Sequence, residues 1–354
     1  MKTIRWLLIF VPIAIAAESL HWGELIVFVA SALAVIPLAG LMGEATEVLA
    51  ERTGPRIGGL LNATLGNAAE LIITLFAIRA GLLELVKASI IGSILGNLLL
   101  VLGLSILAGG IKNGLQKFDR GHAGLDATMT ILVVIALSVP SMFNAAIEPD
   151  TTRVEELSLT AAAAMLVIYG LSIVYALRQP RAEELEAGPS VKPSHAGPRW
   201  GLWASLGVLA GATVGIALMS EFLVGAVEPV TATLGLSEFF VGLIIIPIIG
   251  NVAEHLVAVQ VALKNQMDLS LSVALGSSLQ VALLVAPLLV FLSLVMGHPL
   301  TLEFNSFELI ALAAAAVIAA FVSLDGESNW LEGAMLLAVY MIVALAFFFL
   351  PGAR

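Results

Sequence analysis

The chain has 354 residues, of which 60% are hydrophobic and 12% charged, with a mean hydropathy of +1.04 and a formal net charge of −10. About half the charged fraction of an ordinary soluble domain excludes a water-soluble globular fold and points to an integral membrane protein, and the acidic balance argues against nucleic acid as a partner. Cysteine is absent, which removes a disulfide framework and a thiolate metal site from consideration.

A spanning helix needs about 20 mostly apolar residues. The first apolar run, Ile4 to Ala17, is shorter than that and reaches only about 21 Å at the rise of an α-helix, unless Glu18 to Trp22 extend it. Lys2, Arg5 and the sequence Ala14-Ile15-Ala16 also fit a cleaved signal peptide. A retained leading helix over residues 1–23 is the expectation adopted here. Ten longer apolar segments follow, near 24–50, 57–79, 85–108, 124–146, 156–178, 201–224, 238–263, 269–295, 304–324 and 330–350. Eleven transmembrane helices in an all-α integral membrane protein are therefore expected.

Orientation follows from the excess of Lys and Arg in loops on the cytoplasmic side. With a cytoplasmic N-terminus, Lys2, Arg5, Arg52, Arg56, Lys112, Lys117, Arg120, Arg178, Arg181, Lys192, Arg199 and Lys264 are inside, and only Arg79, Lys87, Arg153 and Arg354 are outside. Twelve against four places the N-terminus inside and the C-terminus outside; a plasma (inner) membrane is the expected location.

One segment reads as a soluble linker: residues 179–200, with Pro180, Glu183, Glu184, Glu186, Pro189, Pro193 and Pro198. It divides the chain into a first five-helix unit, 24–178, and a second, 201–354. The halves repeat at an offset of 184 residues, pairing Gly66 with Gly250, Asn67 with Asn251, Glu70 with Glu254, Glu84 with Asp268, Gly92 with Gly276 and Ser93 with Ser277. Five spans reverse the direction of the chain, so the second unit is expected upside down relative to the first, with the binding site near the midplane where the two meet.

Glu70 and Glu254 carry the chemistry. Each sits deep in an apolar segment, in Gly66-Asn67-Ala68-Ala69-Glu70 and Gly250-Asn251-Val252-Ala253-Glu254, with no Lys or Arg at comparable depth. A carboxylate at bilayer depth costs roughly 2.5–3.5 kcal/mol on insertion scales, which a bound cation offsets. Asn62, Gly66, Glu70 and Thr74 recur every four residues and predict one polar helix face, and Pro247 near the second motif frees backbone carbonyls. The next helix of each half adds Ser89, Ser93 and Asn97, or Ser277, Ser278 and Gln280. Carboxylates, amides, hydroxyls and carbonyls form a hard oxygen set suited to Ca²⁺. Small polar residues also serve as packing glue between helices, a role expected for Gly207, Gly211 and Gly215. His255, beside Glu254, is either a proton relay or an interior histidine. Glu44 and Glu221 lie toward opposite ends of their spans and could lead ions inward, or simply snorkel to the interface. Two facing carboxylates with little water repel one another, so protonation comes within reach at physiological pH. One divalent cation or about two protons then become alternative occupants, which is the physical basis of antiport.

The doubled motif, each copy followed 26 residues after its first glycine by Gly92-Ser93 or Gly276-Ser277, resembles the two α-repeats of the Ca²⁺/H⁺ antiporter (CAX) branch of the cation/Ca²⁺ exchanger superfamily. The resemblance implies one leading helix plus two inverted five-helix units and exchange of Ca²⁺ for H⁺, without a cofactor. It implies Glu70 and Glu254 as shared Ca²⁺ and proton ligands, completed by Asn67, Asn251 and carbonyls near Gly66 and Gly250. Ser93, Ser277, Asn97, Gln280 and His255 would surround them, and Glu44 and Glu221 would line the entrances. The Na⁺/Ca²⁺ branch is similar in plan but carries proline before its acidic residue, where this chain has Ala69 and Ala253; that favours protons over sodium. A Na⁺/Ca²⁺ or Mn²⁺/H⁺ exchanger is the alternative, and a channel or an intramembrane enzyme fits less well, since no His-Glu-x-x-His occurs. Homo-oligomerisation is left open.

Overall fold

Residues 4–147, 151–178 and 200–350 are described by a computed structural model; the acidic linker, with Glu183, Glu184 and Glu186, lies outside the described residues. A 3₁₀ segment (Ile4–Ile9) leads into α1 (Phe10–Ser19), followed by α2 (Glu24–Leu65), α3 (Ala68–Arg79) and α4 (Leu83–Leu95). A π-helical turn (Gly96–Val101) joins α4 to α5 (Leu102–Asn113), and β1 (Gln116–Lys117), α6 (Arg120–Ile147) and α7 (Thr151–Arg178) complete the first half. The second half contains α8 (Leu202–Gly225), α9 (Val227–Leu234) and α10 (Glu238–Phe240), then a π segment (Val241–Ile245) leading into α11 (Ile246–Leu263). Next come α12 (Met267–Gln280), a further π segment (Val281–Val285), α13 (Ala286–Val295), α14 (Ser306–Val322), β2 (Glu327–Ser328) and α15 (Trp330–Phe349).

Among the described residues eight helices are long and apolar enough to cross a membrane. Three of the eleven expected spans depart from that simple form. The leading segment is split between 3₁₀ and α geometry, and Ser306–Val322 is a shorter apolar helix of 17 residues. The run 57–79 is not one helix, because the chain turns at Gly66–Asn67 before α3 begins. The stripe drawn through Asn62, Gly66 and Glu70 is broken by that turn, and the Asn62 side chain lies outside the described residues.

The long α2 doubles back. A methyl group placed on Gly58 would lie 2.5 Å from the carbonyl oxygen of Ala50, whereas residues eight apart on a straight helix are separated by about 12 Å. The bend coincides with Gly54-Pro55, residues that cannot hold a regular helix well. It returns the chain toward the Gly66 motif.

The centre is the α4–α5 rod. Ile91, Ile94, Leu95, Leu98, Leu99, Leu102 and Ile106 are fully buried on it, as expected for a helix apolar on every side. The periphery is apolar too: Trp6, Val214 and Phe349 stand exposed, which only a lipid-like solvent accommodates at such density. All five tryptophans fall at or just before a helix start, where an indole meets the headgroup region. Helix starts are also set by local chemistry. Asn305 and Asn329 each accept from the backbone N–H three residues on, at 2.9 and 3.3 Å, while Glu308 and Glu332 reach back to the cap N–H, two reciprocal capping boxes.

Loop contacts sort into two ends. At one end β1 pairs antiparallel with β2, Gln116 donates to the carbonyl of Ala262 at 2.9 Å, the Asp119 N–H donates to Asp268 at 2.6 Å, and Arg52 donates to the carbonyl of Trp200 at 2.6 Å. Gly326, at φ +77, makes the turn into β2 beside Arg120, a backbone conformation that L side chains avoid. At the other end Ser158 and Ser141 accept from the N–H groups of Leu302 and Phe304, and Glu18, Glu24 and Glu221 line one cavity of about 480 Å³. Each of these contacts joins loops assigned to the same side from the sequence.

Candidate cation site

Glu70 lies in the first turn of α3, where the helix N-terminus favours negative charge. It is 3% exposed. Its Oε1 accepts hydrogen bonds from the Ser93 hydroxyl of α4 and from the Asn251 amide of α11, whereas Oε2 is buried with no partner among the described residues. Close approach of α11 is possible because residue 250 is glycine: a Cβ there would lie 3.0 Å from Glu70 Cγ. Gly92 does the same between α4 and the π segment before α11, since a Cβ on it would collide with the backbone of Leu243.

Glu254 is held differently. Helix α11 runs without a break through Gly250 and Asn251, so Glu254 sits in mid-helix and not at a terminus, and Pro247 lies inside the continuous helical run Glu238–Leu263, directly after the π segment, where it supplies no backbone N–H to the preceding turn. The Glu254 carboxylate accepts from the Ser277 hydroxyl at 2.7 Å. Ser277 Oγ also accepts from the Asn97 amide at 3.0 Å and lies 3.3 Å from Asn67 Oδ1. A hydroxyl has one hydrogen, so the contacts to Glu254 and Asn67 are alternatives and the shorter one prevails. The Asn67 amide is instead turned to Gln280, donating at 2.8 Å.

Both clusters therefore cross the halves. Asn251 of the second half reaches Glu70 of the first, and Asn67 of the first reaches Gln280 and Ser277 of the second. Asn251, which bonds Glu70, lies three residues before Glu254 on α11, so one helix brings the two acidic positions together. Yet the two sides are unequal: Asn251 bonds its carboxylate directly, while Asn67 does not. Accordingly Glu70, Asn67 and Asn251 are buried, and Glu254, Gly250 and Gln280 retain partial exposure. Thr64, just before the Gly66 turn, and Val257 and Gln260, beyond Glu254 on α11, are exposed, with Ala258 fully buried between the last two.

Of the residues singled out in the sequence, Ser93, Ser277, Asn97 and Gln280 all join the network. His255 is partly exposed and makes none of these bonds. Thr74 and Ser278 bond to their own helix, at Glu70 O and Ala274 O, and serve it locally. Gly207 and Gly211 do not pack as expected: both are exposed with open space where a Cβ would go, and only Gly215 meets a neighbour, Leu38. The buried face of α8 runs instead through Ser205, Ala212, Ile216 and Met219. Glu221 is exposed in the acidic cavity at the far end. Glu44 is 8% exposed and bound by Arg5 at 2.5 Å, a partner the sequence reading counted only for topology. Among the described residues no three His, Cys, Asp or Glu side chains cluster as a metal site, so a cation here relies on two carboxylates and neutral oxygens.

Comparison with known proteins yields a consistent set. The family described as sodium/calcium exchanger protein matches residues 23–178 and 204–349. The chain is similar to the "Ca(2+)/H(+) antiporter" of Aphanothece halophytica, 45% identical over 98% of this chain and 96% of the relative. It is similar to the solved structure of the Ca²⁺/H⁺ antiporter protein YfkE, at 37% identity, with a TM-score of 0.86 over 99% of this chain and all of that one. The H⁺/Ca²⁺ exchanger CAX shares the fold, with a TM-score of 0.74 at 17% identity over 99% of this chain and 92% of that one.

Proposed function

The chain belongs to the sodium/calcium exchanger protein family, in its Ca²⁺/H⁺ antiporter branch, and from that membership we propose that it exchanges Ca²⁺ for H⁺ by alternating access, with Glu70 and Glu254 as the shared site. The observation that carries this reading is the pair of cross-half clusters, each built around one buried or half-buried carboxylate. A carboxylate cut off from water is stable when protonated or when a cation lies against it, and is costly when bare. Ca²⁺ arriving from the linker side meets Glu254 first. It then reaches Glu70 Oε2, and Oε1 once Asn251 yields, with the amide and hydroxyl oxygens of Asn67, Asn251, Ser93 and Ser277 available to complete its shell.

Protons on the same oxygens exclude the metal ion, so the occupied forms, metal-bound or protonated, are those that cross between open states. The bare site stays where it is. Eleven crossings, one leading helix and two inverted five-helix units, are the arrangement on which this mechanism rests. The same-side sorting of loop contacts and the two separate stretches of family similarity, 23–178 and 204–349, support it. The linker side is taken as cytoplasmic, with the N-terminus on that side and the C-terminus on the other, in a plasma membrane.

The test is Ca²⁺ flux in sealed proteoliposomes under an imposed pH gradient, with and without Na⁺. Flux driven by the gradient without sodium is expected, falling to background in Glu70→Gln and in Glu254→Gln. Flux that requires sodium and ignores the gradient would move the chain to sodium coupling. Since protons compete with Ca²⁺ for the same oxygens, the half-saturating Ca²⁺ concentration should rise as pH falls on the loading side. A value flat across the pH series would rule out a shared site.

A further inference from the structure

At the linker end of the molecule, Arg5 of the leading segment donates through Nη2 to Glu44 of α2 at 2.5 Å. The guanidinium lies 5.9 Å from the centre of the ring of Trp200, the last residue of the linker, and Trp200 in turn accepts from Arg52 through its carbonyl at 2.6 Å. Three separate stretches of chain thus converge on one carboxylate: the leading segment, α2 and the linker exit. Glu44 is a buried acid toward the linker end of α2, and the chain supplies its own cation to neutralise it.

The pair is not built for permanence. Among the described residues Arg5 Nε is buried without a hydrogen-bond partner, so the guanidinium meets Glu44 through one nitrogen and not through the two-pronged geometry that holds structural pairs together. A pair that leaves a buried donor unsatisfied opens more easily than one that satisfies both partners.

We propose that Arg5 is an intramolecular competitor for Glu44, a positioning residue that sets how readily Ca²⁺ from the linker side reaches the central site, and that Trp200 holds it in place. Calcium approaching Glu44 has to displace a charge already there. Arg52 fastens Trp200 to α2, so the linker exit is coupled to the strength of that competition. The inference rests on the exchange reading above, and the wild-type arm of its test reports on that reading separately.

The experiment measures ΔpH-driven Ca²⁺ flux in vesicles of defined orientation, varying Ca²⁺ on the linker side and then on the opposite side. Arg5→Gln is expected to lower the half-saturating Ca²⁺ concentration on the linker side by about fivefold, with little change in maximal rate and none on the opposite side. Arg5→Lys should stay near wild type. In an Arg5→Gln, Glu44→Gln double variant the gain should vanish. Trp200→Ala, which keeps both charges, should shift in the same direction by less and stands in if Arg5→Gln does not fold. An unchanged linker-side value, an equal shift on both sides, or a gain that persists without Glu44 would overturn the proposal. Absence of ΔpH-driven flux in the wild type would instead sink the exchange reading itself.

Discussion

The two acidic motifs are nearly identical in sequence, yet their carboxylates are held unequally, and the cause is a single amide on each side. Asn251 donates to Glu70, whereas Asn67 is occupied with Gln280. A water-soluble carbodiimide added from the linker side should therefore modify Glu254 well before Glu70, as read by peptide mass spectrometry. Asn251→Ala should bring the two rates together, and Asn67→Ala should not. Equal labelling in the unmodified protein would show that Asn251 does not shield Glu70. Every polar residue in this network was legible in the sequence, because polar side chains stand out in helices that otherwise carry only apolar ones. The division of hydrogen bonds was not legible: near-identical pentapeptides give no sign of which asparagine faces which carboxylate. Arg5 was missed for a related reason, since an arginine at the start of a short apolar run, with Lys2 nearby, reads as a topology signal until packing brings it to Glu44.

Among the helices, glycines at crossings matter far more than glycines on outer faces. Gly92 allows α4 to touch the backbone at Leu243, and any side chain there forces the two segments apart. Gly92→Ala is expected to lower the thermal unfolding temperature of the detergent-solubilised protein by several degrees, on the order of 1–3 kcal/mol of overpacking, and to reduce transport. Gly207→Ala and Gly211→Ala, with open space around them, should leave both measurements near wild type. A harmless Gly92→Ala would mean that the crossing has slack. The recurrence of small residues in α8 resembled a packing ladder because spacing alone does not reveal which side of a helix faces a neighbour and which faces lipid. The break at Gly66–Asn67 was similarly hidden, as a continuous apolar run gives no boundary; the matching motif in α11 has the same glycine and asparagine and stays helical.

For the molecule as a whole, the placement of tryptophans makes the membrane frame testable. Trp6 and Trp203 are 82% and 83% exposed at the linker-side ends of their helices. Single-tryptophan variants retaining either should be quenched more by lipids brominated near the headgroup than by lipids brominated near the tail end. The reverse order would displace the whole frame along the membrane normal. Span positions were largely readable because hydrophobic length is a one-dimensional property of the chain, whereas doubling back at Gly54-Pro55 and the pairing of loops depend on contacts distant in sequence. One such contact reaches beyond transport. Strand β1 belongs to the first half and β2 to the second, and Gln116, Asn113 and Asp119 add further bonds across the same divide. Two polypeptides cut within the linker and produced together in one cell therefore carry mutual recognition on their own surfaces, and should find each other and restore exchange without a covalent join.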